Sequence, residues 1–126
     1  MARATSRILV VEDDEMLRET LDEVLTDVGH EVRTAANGQE ALQRLEAWSA
    51  DLIILDLMMP FMDAYEFRER LLLDGHGPEP RVLVLSASSD VGAAAERLEA
   101  TAWLAKPFNL GVMLDTVRRL LEPTAG

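Results

Sequence analysis

Apolar residues along this chain fall into two kinds of segment in regular alternation. Short continuous runs are separated by longer stretches in which apolar positions recur every three or four residues. The first pattern suits strands and the second amphipathic helices, and their alternation is that of βα units wound around a parallel sheet. Five such pairs can be laid out. The strand candidates are Arg7 to Glu12, Glu31 to Ala35, Leu52 to Asp56, Arg81 to Ser86 and Thr101 to Ala105. "DLIILD" and "RVLVLS" are apolar at consecutive positions, as expected when helices cover both faces of a strand.

The helices carry their own punctuation. In the first, Leu17, Leu21, Val24, Leu25 and Val28 mark one apolar face, and Gly29 follows as a left-handed cap. Asn37, with Glu40 three residues on, predicts the start of a second helix. A third should begin after Pro60, pass through Phe67 and Leu71, and stop at "GHGPEP". A short alanine-rich fourth helix spans Asp90 to about Leu98. The fifth starts after Pro107 with Asn109 as cap, places Leu110, Met113, Leu114, Val117 and Leu121 on one side, and is ended by Pro123. The pattern predicts one domain over residues 1–126, with a core at about 6–122 and a small polar tail, "PTAG".

Composition narrows the class. With 126 residues and 48% hydrophobic content the chain can close a real core. Its 23 acids against 12 Lys and Arg give a net charge of −11, a field that repels nucleic-acid phosphates and anionic membrane surfaces. The absence of cysteine excludes disulfides and thiolate metal sites. "MARATSR" leads into an apolar run too short for a signal sequence or a membrane span, so a soluble cytoplasmic protein is expected.

In an open parallel α/β sheet, ligands bind beyond the carboxyl ends of the strands, so the polar residues there are the candidate chemistry. The first strand ends in Glu12 and Asp13, the third in Asp56, the fourth in Ser86, and the fifth is followed by Lys106 and Pro107. Three carboxylates, a hydroxyl and an ammonium group would share one rim. Clustered carboxylates repel by several kcal/mol at intermediate dielectric, which calls for a cation among them. A hard divalent ion such as Mg²⁺, with an oxygen shell including one or two carboxylates, fits Asp13 and Asp56. Each residue also has a plainer reading. Asp56 could cap a helix, and Glu12 or Asp13 could cap the first helix, although Asp14 is placed for that task. Ser86 could be a turn hydroxyl, with Ser88 and Ser89 close by, and Lys106 a solvated lysine. His30 and His76 fall in a turn and a Gly/Pro loop away from the rim, and neither suits a donor or ligand role there.

"ILVVEDDE", "DLIILDLMMP", "VLVLSA" and "LAKPF", in this order over nearly the whole chain, resemble the receiver domain of bacterial two-component response regulators. The resemblance implies a flavodoxin-like, doubly wound (βα)5 fold with strand order 2-1-3-4-5. It implies that Asp56 accepts a phosphoryl group from a sensor histidine kinase or phosphotransfer protein, and that Asp13 ligates Mg²⁺ while Glu12 acts largely through a water. The backbone carbonyl of Met58 would complete the protein's share of the metal shell. Ser86 and Lys106 would each contact a phosphoryl oxygen, Trp103 would be an aromatic switch that packs inward as Ser86 is drawn to phosphate, and Lys106-Pro107 could be cis. An ordinary half-buried tryptophan is the alternative for Trp103. Receivers contact a downstream protein target or dimerise through the face made by the fourth helix, fifth strand and fifth helix.

Three departures from the family pattern carry expectations. Ala64 replaces a common glycine, which predicts a rearranged or strained loop. The Ser86 to Lys106 region is short, which predicts a shortened or shifted fourth helix. Met58 and Ser88 sit where side chains tune access of hydrolytic water, and a thioether at Met58 predicts a long-lived aspartyl phosphate. The chain is expected to be a stand-alone switch with no catalysis beyond Mg²⁺-dependent self-phosphorylation and slow dephosphorylation. The alternatives are the receiver of a longer transcriptional regulator, with "EPTAG" opening a linker, or a receiver-like interaction module without phosphorylation. A haloacid-dehalogenase-type phosphohydrolase would want an aspartate where Met58 stands, and neither a Walker loop nor a dinucleotide-binding glycine turn is present.

Overall fold

The computed structural model describes residues 6–57, 64–74, 80–87, 91–98 and 100–122. Ten elements alternate along it: β1 (Arg7–Val11), α1 (Glu15–Asp27), β2 (Glu31–Ala35), α2 (Gly38–Ala47), β3 (Leu52–Asp56), α3 (Ala64–Asp74), β4 (Arg81–Ser86), α4 (Val91–Arg97), β5 (Ala102–Ala105) and α5 (Leu110–Leu121). The strands form one parallel sheet in the order β2-β1-β3-β4-β5.

Strand alternation sends consecutive apolar residues to opposite faces, so each central strand feeds two cores. Leu9, Val11, Ile53, Leu55, Val82 and Val84 pack with Ala41, Ala64, Phe67, Ala95 and Leu98 under α2, α3 and α4. Ile8, Val10, Leu52, Ile54, Leu83 and Leu85 pack with Leu21 and Leu25 of α1 and Met113 and Val117 of α5. This is why "LIILD" is buried throughout. The edge strands differ: "EVRTA" of β2, up to its buried final Ala35, and "AWLA" of β5 alternate between exposed and partly buried positions.

The caps follow the sequence. Asp14 accepts from the amides of Met16 and Leu17, Asn37 from that of Glu40, and Asn109 from that of Val112. At the end of α1 the amide of His30 reaches the Leu25 carbonyl and that of Gly29 the Thr26 carbonyl. With Gly29 at φ 104°, this is a Schellman stop.

Several expectations are corrected. β1 ends at Val11 rather than Glu12, although the Glu12 amide still bonds the Ala35 carbonyl; β5 begins at Ala102 rather than Thr101. Val28 is the C-cap of α1 and 55% exposed, not part of its buried face, because the chain is already turning away from the sheet there. Leu110, in the first turn of α5, is exposed for the corresponding reason at the other end. Ala64 opens α3 with its methyl in the core rather than standing in a left-handed loop position, and the loop before it, where rearrangement or strain was expected, lies outside the described residues. α4 spans Val91–Arg97, ending one residue before Leu98, and its expected start at Asp90 lies outside the described residues. Pro60, His76, Ser88, Ser89, Asp90 and Pro123 lie outside the described residues.

Candidate functional site

The strand order reverses between β1 and β3, since β2 lies to one side of β1 and β3 to the other. Helices and loops leave the carboxyl ends of these two strands in opposite directions, opening a crevice there. Glu12 and Asp13 follow β1, Asp56 ends β3, Ser86 ends β4 and Lys106 follows β5. The register brings these ends level, with Asp56 paired to Leu85 and Ser86 to Ala105. The Lys106 amide then donates to the Ser86 carbonyl (2.8 Å), and the Leu57 amide to that of Leu85 (2.9 Å).

The side chains converge as the sequence led us to expect. Glu12, Asp56 and Ser86 are the buried polar residues among those described, and one carboxylate oxygen from each of Glu12, Asp13 and Asp56 lies within 4.8 Å of the others. Lys106 reaches across with Nζ 2.7 Å from Glu12 Oε1 and 3.6 Å from Asp56 Oδ2. The second Glu12 oxygen, Oε2, accepts from the Asp14 amide at 3.1 Å. Glu12 is therefore held at both oxygens, while Asp13 stands exposed at the mouth.

One ammonium group does not balance three carboxylates, and the protonation preferences show it. Burial, and then the charge of Glu12 and the hydrogen bond with Asp13, push the Asp56 carboxyl up to about 7, against a smaller opposing pull from Lys106. For Asp13, burial pushes upward, but hydrogen bonding with Asp56 and Glu12 leaves it below its ordinary value. Burial disfavours the Lys106 ammonium, yet the bond it donates to Glu12 and the charges of Asp56, Glu12 and Asp13 hold its pKa above the ordinary lysine value. Of the two neighbouring carboxyls, Asp56 is thus pushed towards its protonated form and Asp13 towards its charged form. Such a pair, all oxygen, with one member open to solvent and an excess of negative charge, fits a hard divalent cation with retained waters.

Trp103 points outward from β5, 49% exposed, with its indole over Gly92 of α4, where an added Cβ would meet Cζ2 at 3.3 Å. Met58 lies outside the described residues, so its carbonyl is not placed. The Lys106-Pro107 bond is cis. His30 accepts from the Ser6 amide at the opposite end of the sheet. Arg18 was not singled out from the sequence, yet its guanidinium bonds the backbone carbonyls of Glu12 and Asp13. The available signal was a solitary cation among the acids from Glu12 to Glu23, four residues after the cap Asp14.

Comparison with known proteins gives one consistent answer. Residues 8–118 match the family model described as the response regulator receiver domain. The chain is similar to the response regulator MprA of Mycobacterium tuberculosis, 39% identical over 120 residues, which covers 94% of this chain and 51% of that protein. It therefore spans about half the length of that relative. Among solved structures, chemotaxis protein CheY4 of Vibrio cholerae is 34% identical with a TM-score of 0.84, covering 94% of this chain and all of that one. The response regulator TrrA of Thermotoga maritima, solved in complex with Mg(2+)-BeF, is 33% identical with a TM-score of 0.80 and covers 92% of this chain and 99% of that one. Among the described residues no helix is long and apolar enough to cross a membrane.

Proposed function

The chain belongs to the receiver domain family of response regulators, and on that footing we propose that Asp56 is the acceptor of a phosphoryl group delivered by a histidine kinase or phosphotransfer protein. The observation that carries this reading is Lys106 Nζ seated between Glu12 and Asp56 in a cluster of three carboxylates whose charge one ammonium group does not balance. An ionised Asp56 oxygen attacks the phosphorus of a phosphohistidine; the P–O bond forms as the P–N bond breaks, and the imidazole leaves with the electron pair and takes a proton. An anion attacking an anionic group needs charge neutralised around it. Lys106 would pair with one phosphoryl oxygen, and Ser86, level with it on the adjacent strand, would donate to another. Asp13 and Asp56 would hold Mg²⁺ directly, Glu12 largely through a water, and the Met58 carbonyl would complete the set. Bound there, the ion would neutralise charge on the nucleophile and the phosphoryl group and so favour the ionised form of Asp56.

The consequence of phosphorylation would be a shift between two conformations of the face made by α4, β5 and α5, through differential contacts of Ser86 and Lys106. Trp103, outward in this structure, would report that shift, and the face would bind a protein target or a second copy of the chain. TrrA with Mg(2+)-BeF supports the assignment of Mg²⁺ to this site. The field of a chain with net charge −11 supports a protein rather than a nucleic-acid partner, and a cytoplasmic place of action accords with this. We assign the region 1–126 to one receiver domain.

The test is incubation with acetyl phosphate and Mg²⁺, followed by intact-mass measurement. The wild type should gain one phosphoryl group, and Asp56→Asn none. No Mg²⁺-dependent gain in the wild type, or an equal gain in Asp56→Asn, would overturn the reading.

A further inference from the structure

Arg18 is the only cation between Glu12 and Glu23, and its side chain behaves unlike that of a solvated arginine. Its backbone amide closes the first turn of α1 on the Asp14 carbonyl at 2.9 Å. Its side chain then folds back beyond the helix start, where Nη1 donates to the Glu12 carbonyl at 2.8 Å and, more weakly, to the Asp13 carbonyl at 3.5 Å. Close to several carboxylates, a guanidinium would ordinarily take a bidentate ion pair. Arg18 makes none with any described residue and gives these donor bonds to peptide oxygens instead.

Those two carbonyls belong to the residues whose side chains must diverge. Glu12 turns inward and is buried against Lys106, whereas Asp13 stands exposed at the mouth of the crevice, yet both carboxylates reach Asp56. The directions of two successive side chains on an irregular segment depend on the planes of the intervening peptides. A single guanidinium bonded to both carbonyls holds those planes from outside, while the Asp14 amide on Glu12 Oε2 holds them from inside.

We propose that Arg18 is a positioning residue for the divalent-cation site, fixing the Glu12–Asp13 backbone so that both carboxylates converge on Asp56. The proposal rests on the reading of that cluster as a Mg²⁺ site. It makes a prediction opposite in sign to simple electrostatics. As a nearby positive charge, Arg18 repels Mg²⁺, so its removal should tighten binding on Coulombic grounds. As a positioning group it preorganises the ligands, and outer partners of this kind are worth about 10-fold to 100-fold in metal affinity.

The experiment measures the Mg²⁺ dissociation constant of the full chain by calorimetry, and independently by the Mg²⁺-dependent rise in thermal midpoint. The variants are Arg18→Ala, Arg18→Lys and the ligand control Asp13→Asn, each first shown by circular dichroism in chelator to be folded. Arg18→Ala should bind Mg²⁺ about 10-fold more weakly. Arg18→Lys, which keeps the charge and can donate but loses the planar fork, should fall between it and the wild type. Arg18→Ala binding as tightly as the wild type, or tighter, overturns the proposal while leaving the cation site standing. Wild type that binds no more tightly than Asp13→Asn overturns the site and the proposal together. If Arg18→Ala does not fold, Arg18→Lys decides: affinity equal to that of the wild type overturns the proposal.

Discussion

At Asp56 a carboxyl group is held where it resists ionising near neutral pH, because it is buried beside Glu12 and Asp13 with only one ammonium group close by. Its pKa in the folded chain, about 7, lies above the ordinary 3.8, so folding takes up a proton at this site. The stabilisation from that proton is complete below about pH 4 and is lost as the pH rises through about 7. Asp56→Asn, which keeps the shape without the charge, should therefore stabilise the chelated protein at about pH 8 by roughly 2–4 kcal/mol. The gap should close towards about pH 4 and narrow when Mg²⁺ is added to the wild type. Urea denaturation across that range with chelator, and again with Mg²⁺, checks it; a gap independent of pH would refute the account. Glu12, Asp13, Asp56, Ser86 and Lys106 were legible as candidates because each interrupts or follows an apolar run. Arg18 was not, since what sets it apart is two backbone contacts that no periodicity records.

At the scale of elements, α1 shows how local signals delimit a helix. Asp14 caps one end and Gly29 the other, both visible in the sequence. Nothing lies within 4 Å of a Cβ built on Gly29, so replacing it costs only the strain of a left-handed backbone. Gly29→Ala should destabilise by about 1 kcal/mol, and Asp14→Ala by a similar amount through the lost cap. Urea unfolding reads both, and a neutral Gly29→Ala would argue that the stop is not held in the left-handed region. The strand set was equally legible, and its ends missed by a residue where hydrogen bonding fades rather than stops, as at Glu12 and Thr101. Less legible was α3. Leu71 packs against the core, while Leu72 and Leu73 are exposed, so its apolar residues do not mark one clean face. Ala64 looked like a loop residue by analogy but is buried helix, because the space over β3 accommodates a methyl at that position.

At the scale of the whole molecule the charge of −11 is a cost carried by the compact state. Added NaCl, from about 0.01 M to about 0.15 M, shortens the screening length severalfold and should raise the thermal midpoint in chelator. The rise should be smaller with Mg²⁺ present, because an ion held by the carboxylate cluster would remove part of the repulsion. A melting scan in the two buffers measures it, and a midpoint that falls with salt would show that attractive pairs such as Lys106 with Glu12 outweigh the net repulsion. Sequence alone determined the strands, the caps, the two-sided burial and the identity of the polar residues at the strand ends, since each depends on contacts within a few positions. The family resemblance supplied the strand order, but tertiary structure alone decided the 4.8 Å convergence of three carboxylates, the bond from Lys106 to Glu12 across 94 residues, the outward Trp103 and the grip of Arg18 on two carbonyls. Distances of that kind depend on the packing of both helical layers at once, and local pattern carries no information about them.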